Sequence, residues 1–491
     1  MVQQAMRPSG ADLGKRVVYG VLWQYGLTAF RIVITLGSTA VLARMLHPQD
    51  YGLVAMAALV TELAGLMANT GFGSILTQRV RLTRLDLDTA FWASLGIGAA
   101  LALVVAALAW PASRLFSQPE LVTILCISGL NFIIHGMTVV PSAILNRLLK
   151  FQADAWIQVL QLVVRAAVAI ALAWLGQGYW SLVFAGLVAA LVGAVVELVV
   201  VGYRPRWRFN KTFVRNNLSA SSSYLGSGLL GYGSGNFDVF IVGRWFGAEH
   251  LGYYQMAMTL PSELRNRLAA PLQRVLFPAY ALLQDNPERL RSVAFRSQKI
   301  LSVLVLPIAA FMVVAAEEIV AVLYGPKWEP AVPLLQVLAF GGALRALFGL
   351  VGNIFFAIGR PELVFKVQLL VLPAVVLGTW VGSHWGPIGV AWGMLAASSP
   401  GLYSAHLAWR AIGGSLTDFM RAITTAAVLS VVVALVCLGP HQVIAQAWGP
   451  FASLIVSVTL SVVACLAVLW LGDKPLLQPL LDRLKRVRSR S

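Results

Sequence analysis

Charged side chains inside long apolar segments are the residues of this sequence best placed to do chemistry. Four of them lie near the centres of predicted membrane-spanning helices: Arg31, Glu62, Arg165 and Arg345. A charge at mid-bilayer depth costs several kcal/mol, so such residues usually face a partner or a water-filled cavity. We therefore take these four positions as candidates for the lining of a polar cavity.

A second group of charges falls in one predicted span near residues 251–278. Glu263, Arg267 and Arg274 share one face of that helix at spacings of four and seven residues, and Arg265 lies beside them. The functional interpretation is that these arginines line the same cavity. The alternative is that Glu263 and Arg267 form a structural pair and that a neighbouring helix neutralises Arg345.

Three carboxylates are candidates for ion coupling: Glu62, Asp238 and Glu263. A buried carboxylate can bind a proton in one conformation and release it in another. Asp238 lies near the end of its predicted span and could equally pair with Arg244. The sequence thus leaves a coupling role and a structural role open for Asp238.

The composition shows which elements must position these charges. The 491 residues are 58% hydrophobic and 12% charged, against roughly 45–50% and 25% in soluble domains. Residues 367–409 and 422–472 contain no Asp, Glu, Lys or Arg. Each run is about twice the ~20 residues that cross a bilayer. Each is therefore predicted to form a helical hairpin, broken at 382–387 and at 439–440.

The whole chain is predicted to be an all-α polytopic membrane protein with about fourteen transmembrane helices. They are expected near residues 17–43, 51–73, 89–110, 120–142, 153–175, 180–203, 218–243, 251–278, 300–323, 332–357, 367–383, 387–409, 422–438 and 450–471. In the seventh of these, Ser227, Gly231 and Gly235 recur every four residues. That spacing permits a close helix approach, and bending or cavity lining is the functional alternative, which is compatible with it.

The distribution of charge predicts the orientation. The formal net charge is +17, and most Lys and Arg fall in the termini and the even-numbered loops. Cytoplasmic loops carry such an excess, so both termini are predicted to be cytoplasmic. The basic loops and the tail Lys474–Ser491 are expected to contact anionic membrane lipids. Nucleic-acid binding is not expected, because the tail has no aromatic side chain to stack on a base.

The sequence contains no group of residues with the spacing typical of a catalytic site. Cys126, Cys437 and Cys465 lie in apolar runs without the spacing of a disulfide or metal site, and the six His residues are scattered. No loop between predicted spans is long enough for an extramembrane domain. We therefore predict a transport protein with no catalytic residue, metal or cofactor.

Two segments that lie 200 residues apart repeat one another. Leu42–Gly52 reappears as Val242–Gly252, with Arg, Gly, Met and Ala at a fixed offset through residues 57 and 257. Weaker echoes pair 61–63 with 262–264, and Gly178 with Gly389. The repeat predicts two similar halves, and a site between two halves is how many transporters alternate access.

The repeated segment resembles the signature of the polysaccharide transporter family, the Wzx-type oligosaccharide flippases of the multidrug/oligosaccharidyl-lipid/polysaccharide superfamily. Further segments extend the resemblance over nearly the whole chain: Asn236–Arg244, Leu251–Tyr254, Phe277–Pro278, Leu323–Gly325 with Trp328, and Gly359–Arg360. The resemblance implies two six-helix lobes around a central cavity and two extra C-terminal helices. The corresponding ranges are 1–210, 211–412 and 413–491.

The same resemblance implies a function and a substrate. Such a protein would carry polyprenyl-diphosphate-linked oligosaccharide from the cytoplasmic to the periplasmic leaflet of the bacterial inner membrane, with a proton or sodium ion as possible coupling ion. Guanidinium groups bind phosphate oxygens in bidentate fashion. The expected substrate-binding residues are therefore Arg31, Arg165, Arg265, Arg267 and Arg345.

Two other functions stay open on the sequence. A cation-coupled multidrug exporter of the same superfamily would be favoured by an acidic, arginine-poor cavity. A polyprenyl-phosphate glycosyltransferase or ligase would be favoured by a large outer loop that carries carboxylates.

Overall fold

The structure is a computed structural model of the 491-residue chain, and it describes residues 30–68, 72–79, 81–218 and 222–472. Within these ranges the side chains of 215–227 and 440–448 are outside the description. About half of the predicted first span, residues 17–29, and the basic tail Lys474–Ser491 also lie outside the described residues.

The first part of the chain is a succession of helices, most of them long. They are α1 (30–45), α2 (Pro48–Ala68), α3 (Phe72–Gln78), α4 (Arg84–Phe116), α5 (Leu121–Ser128), α6 (Leu130–Arg147), α7 (Phe151–Trp174), α8 (Trp180–Val201), α9 (Lys211–Leu218) and α10 (Ser222–Leu264). Helix α10 bends at Gly247, whose φ is +83°.

The second part continues in the same way after a π-helix at Arg265–Ala269. Its elements are α11 (Ala270–Ala281), α12 (Pro287–Val314), α13 (Ala316–Leu323), a 3-10 helix (Pro326–Ala331), α14 (Val332–Ala357), α15 (Pro361–Gly382), a 3-10 turn (Ser383–Trp385), α16 (Gly386–Ala396), α17 (Pro400–Ala411) and α18 (Leu416–Gly472). Helix α18 bends at Gly449. No strand occurs in the part of the chain that the structure describes.

The predicted fold class, an all-α polytopic membrane protein, is confirmed. Ten segments among the described residues are long and apolar enough to cross a membrane, and they contain eleven of the predicted spans because Pro361–Ala411 holds two. The predicted seventh and eighth spans fall in α10, the π-helix and α11. These elements are helical but rich in glycine, serine and charged residues, so they are less apolar than the ten candidate spans.

The start of α4 shows how a span is delimited. Thr83 and Asp86 form a capping box, in which the Asp86 backbone N–H donates to Thr83 Oγ1 at 3.2 Å and the Thr83 N–H donates to Asp86 Oδ2 at 2.9 Å. Arg79 pairs with the same Asp86 carboxylate at 3.0 Å. The capping box and the ion pair thus stabilise the polar start of this helix, just before its apolar run begins.

Close helix packing depends on particular glycines. A Cβ added to Gly98 or Gly136 would overlap backbone atoms of the facing helix in the α4 and α6 pair. Gly382 and Gly389 do the same between α15 and α16. Small residues allow membrane helices to approach in this way. A Cβ at Gly231 or Gly235 would meet no described atom within 4 Å, so the described residues show no close packing there and the cavity-lining alternative stays open.

The chain divides into two compact units, Met1–Gly252 and Tyr253–Ser491. The division falls later than the predicted lobe boundary after residue 210. The predicted lobe ranges stay a prediction.

Inside the first unit the two repeat copies touch each other reciprocally. A Cβ added to Gly52 would overlap the carbonyl of Ala248, and a Cβ added to Gly252 would overlap the carbonyl of Pro48. Residues 48 and 52 are the repeat equivalents of residues 248 and 252. The glycine of each copy therefore packs against the equivalent residue of the other copy. This reciprocal arrangement is that of an isologous contact.

Candidate functional site

Two arginines of the second unit, Arg265 and Arg345, carry neighbouring positive charges. Arg265 opens the five-residue π-helix that separates α10 from α11. π-Helices are rare and are frequent at functional sites, because the extra residue redirects side chains. Arg345 lies near the middle of α14. The second unit thus contains two features that are unusual in a membrane-spanning helix, a π-helix and a charged residue near the middle of a span.

These two arginines act on one another electrostatically. Arg345 is the charged neighbour of Arg265, and the Nε of Arg345 is buried without a hydrogen-bond partner. Within the described ranges, no carboxylate lies at ion-pair distance from either guanidinium. Neighbouring like charges in a membrane-spanning unit are costly unless an anion accompanies them. In chemical terms the arrangement suits an anion with two or more charged oxygens.

Arg267 has a different environment. It forms an ion pair with Glu263, one helical turn earlier, and their side chains are 23% and 32% exposed. The pair bridges the end of α10 and the π-helix. This geometry favours the structural alternative for these two residues, and their parts in binding and coupling stay predictions.

In the first unit, Arg31 contacts α7. Its Nη2 donates to the carbonyl of Ala155 at 3.3 Å, and its charge acts on the neighbouring Asp154. Gln158 donates to the Asp154 carboxylate at 2.7 Å. Arg31 is therefore partly compensated by an acid that the sequence analysis did not single out.

Arg165 lies on a polar stripe of α7. The stripe comprises Asp154, Gln158, Gln161 and Arg165, at steps of four, three and four residues. The exposed apolar side chains Trp156, Val163 and Trp174 lie on the opposite side of the helix. Arg165 is itself exposed. The exposed guanidinium thus belongs to the polar side of α7, and lipid tails suit the other side.

A further carboxylate joins this region, Glu197 of α8. It is 7% exposed, accepts a hydrogen bond from Ser142 Oγ at 2.7 Å, and lies within electrostatic reach of Asp154. Sequence reasoning missed it because it lies near the end of its span. A signal was present, since Glu197 is the only acidic residue between 180 and 203.

The remaining predicted coupling residues have contrasting surroundings. Glu62 is exposed and acts electrostatically on Tyr232, whose hydroxyl donates to the carbonyl of Leu59 at 2.7 Å. Asp238 is fully buried in the first unit. Binding of a coupling ion at either residue stays a prediction.

The chain is similar to known polysaccharide biosynthesis proteins. The family model described as "Polysaccharide biosynthesis protein" matches residues 41–333, more than half of the chain. Lipopolysaccharide biosynthesis protein WzxC of Escherichia coli K12 is 25% identical over 396 residues, which are 78% of this chain and 79% of that protein. Teichuronic acid biosynthesis protein TuaB of Bacillus subtilis is 24% identical over 395 residues, 78% of this chain and 80% of that protein.

Solved structures share the fold. The lipid II flippase MurJ in an inward closed conformation matches with a TM-score of 0.73 at 14% identity, over 93% of this chain and 100% of that one. An inward-facing multidrug transporter of the MATE family matches with a TM-score of 0.55 at 18% identity, over 80% of this chain and 94% of that one. The family resemblance inferred from the sequence is confirmed: the chain belongs to the polysaccharide biosynthesis protein family, alongside the Wzx-type transporters.

Proposed function

We propose that this protein is an inner-membrane flippase that moves polyprenyl-diphosphate-linked oligosaccharide from the cytoplasmic to the periplasmic leaflet, by alternating access, for the export of a polysaccharide. The observation that carries the proposal is the pair Arg265 and Arg345, which lack a carboxylate partner among the described residues. The names of the relatives, which concern lipopolysaccharide and teichuronic acid biosynthesis, support the same class of cargo.

A diphosphate suits this pair chemically. Its oxygens accept two parallel hydrogen bonds from each guanidinium, and its charge relieves the repulsion between Arg265 and Arg345. Arg265 is exposed and Arg345 is part-buried, so one group is accessible to an arriving headgroup and the other holds it from a fixed position. Arg31 and Arg165 are proposed as further contacts, and Arg165 is the more available because Asp154 already compensates Arg31 in part.

A multidrug exporter is the weaker candidate. An organic cation would be repelled by two uncompensated arginines. The likeness to the MATE transporter shows the fold alone.

Coupling, orientation and lipid contacts are also proposals. A proton or sodium ion would bind Glu62, Asp238 or Glu263, and at Glu263 it would have to compete with Arg267 for the carboxylate. Both termini would be cytoplasmic, which brings the basic loops and tail to anionic lipids of the inner leaflet.

The test replaces Arg265 and Arg345 with Gln, singly and together, in a strain that depends on this gene for polymer export. We expect the double variant to abolish export while lipid-linked oligosaccharide accumulates, and Lys at both positions to retain part of the activity because the charge remains. Arg289→Gln is the matched control, since Arg289 is an exposed arginine of the same unit that lies outside the predicted spans. Normal export by the membrane-inserted double variant would overturn the proposal.

A further inference from the structure

The loop between α8 and α9 is fastened to the first turns of α4 through its backbone. Four bonds hold it: Arg84 Nη2 to the Arg204 carbonyl at 2.5 Å, Trp92 Nε1 to the Arg206 carbonyl at 2.9 Å, the Arg206 N–H to Asp88 Oδ1 at 3.3 Å, and the Asn210 N–H to Thr89 Oγ1 at 3.1 Å. These bonds use main-chain atoms of the loop, so they fix its shape without occupying its arginine side chains.

A buried tyrosine completes the attachment. The Tyr203 hydroxyl donates to Asp88 Oδ1 at 2.9 Å, and Arg84 lies over the Tyr203 ring at 5.2 Å. Burial raises the pKa of Tyr203, so the hydroxyl stays a donor at physiological pH. Asp88 is fully buried here and also pairs with Arg84 at 3.6 Å, so salt screens the attachment less than it screens exposed charges.

We name residues 204–208 the cytoplasmic clamp. The main-chain bonds of the attachment leave its three arginine side chains unoccupied. Arg204, Arg206 and Arg208 are exposed, and no carboxylate within the described ranges lies at ion-pair distance from their guanidinium groups. Trp207 is 86% exposed and stacks on Trp92, with 3.9 Å between ring centroids. A fixed loop thus presents three free cations around one flat indole surface.

The position of the clamp relative to the membrane indicates which molecules it contacts. One candidate span begins at Arg84 and another ends at Val201. The clamp follows Val201 by a few residues, which places it at the level of the lipid headgroups. Tryptophan favours that level because its ring is apolar and its N–H is polar. Clusters of arginine beside a span attract anionic lipids.

We propose that the cytoplasmic clamp is a binding site for the phosphate headgroups of anionic phospholipids, in which the three arginines engage phosphate oxygens and Trp207 lies against the glycerol region. A nucleic acid could also stack on an exposed indole, but the headgroup depth of the loop favours lipid. The inference rests on the cytoplasmic orientation proposed above, under which the clamp holds the α4 and α8 ends at the inner surface of the membrane and enriches anionic lipid beside them.

Binding is tested on the purified full-length protein by native mass spectrometry with phosphatidylglycerol, and with phosphatidylcholine as the zwitterionic comparison. We expect phosphatidylglycerol to bind the wild-type protein in preference to phosphatidylcholine. Each arginine should contribute about fivefold. The triple variant Arg204→Gln, Arg206→Gln, Arg208→Gln should therefore weaken the tightest phosphatidylglycerol site by about 100-fold, and the triple Lys variant should keep most of the affinity.

The control is a second triple variant in which three exposed arginines of the other unit, Arg289, Arg360 and Arg410, become Gln. It removes the same charge and should leave the tightest site unchanged. Equal losses in the two triple variants would overturn the proposal, because net charge alone would explain them. Displacement of phosphatidylglycerol by an RNA oligonucleotide, or by substoichiometric undecaprenyl diphosphate, would also overturn the assignment to phospholipid. The readout is binding, so it is independent of transport.

Discussion

At the residue scale, the charges of this protein fall into compensated and uncompensated groups. Arg267 has Glu263, and Arg31 has Asp154 as a charged neighbour. The Nε of Arg345 is buried without a hydrogen-bond partner, and the positive charge of Arg345 acts on Arg265. Sequence spacing could place all of these charges in spans. It could not tell the groups apart, because compensation depends on which neighbouring helix supplies a carboxylate.

Compensation predicts different stability effects for two arginines of the first unit. Arg31→Gln should lower the thermal unfolding midpoint, because it leaves Asp154 without its positive neighbour, and adding Asp154→Asn should restore most of the loss. Arg165→Gln should leave the midpoint unchanged, since its side chain is exposed on the polar stripe. Thermal unfolding in detergent checks this. Equal losses for Arg31→Gln and Arg165→Gln would contradict the assignment.

The Glu263 and Arg267 pair permits a second measurement. Glu263→Gln should destabilise the protein by about 1 kcal/mol, because a part-buried guanidinium loses its counter-charge. The double variant with Arg267→Gln should recover part of that loss. A double-mutant cycle measures the coupling directly, and additive effects would show that the two side chains act independently.

At the element scale, the apolar runs predicted most helices, because length and hydropathy alone decide whether a segment can span a bilayer. The π-helix at Arg265–Ala269 could not be predicted, since it depends on packing against other helices. For a related reason the sequence could not decide between close packing and cavity lining at Gly231 and Gly235. Four-residue spacing permits close approach, and the facing helix decides where it occurs.

Glycine contacts therefore provide the element-scale prediction. Gly52→Ala should destabilise the protein by about 1–3 kcal/mol or change its conformational state, because the added Cβ overlaps the carbonyl of Ala248. Gly235→Ala, in a helix position without a neighbour among the described atoms, should be neutral or slightly stabilising. Thermal unfolding of the two variants makes the comparison, and indistinguishable midpoints would contradict the reciprocal contact.

At the scale of the whole molecule, the family and the all-α polytopic fold followed from composition, repeats and motifs. The division into Met1–Gly252 and Tyr253–Ser491 did not, because it depends on long-range packing that no local pattern reports. Orientation rests on charge alone, since basic loops are retained on the cytoplasmic side.

Topology is tested with reporter fusions. Alkaline phosphatase fused after Arg208 should be inactive and after Glu249 active, because the first position is predicted to be cytoplasmic and the second periplasmic. A fluorescent protein that folds only in the cytoplasm should give the opposite result. The reversed pattern would place both termini outside and would remove the basis for cytoplasmic lipid contacts.

The reciprocal meeting of Gly52 with Ala248 and of Gly252 with Pro48 also bears on ancestry. A shorter ancestor that carried a single copy of the segment would have formed both contacts as a symmetric homodimer. Joining two such genes would turn a concentration-dependent association into a permanent one. The duplicated halves would then be free to diverge, and each could acquire its own arginines.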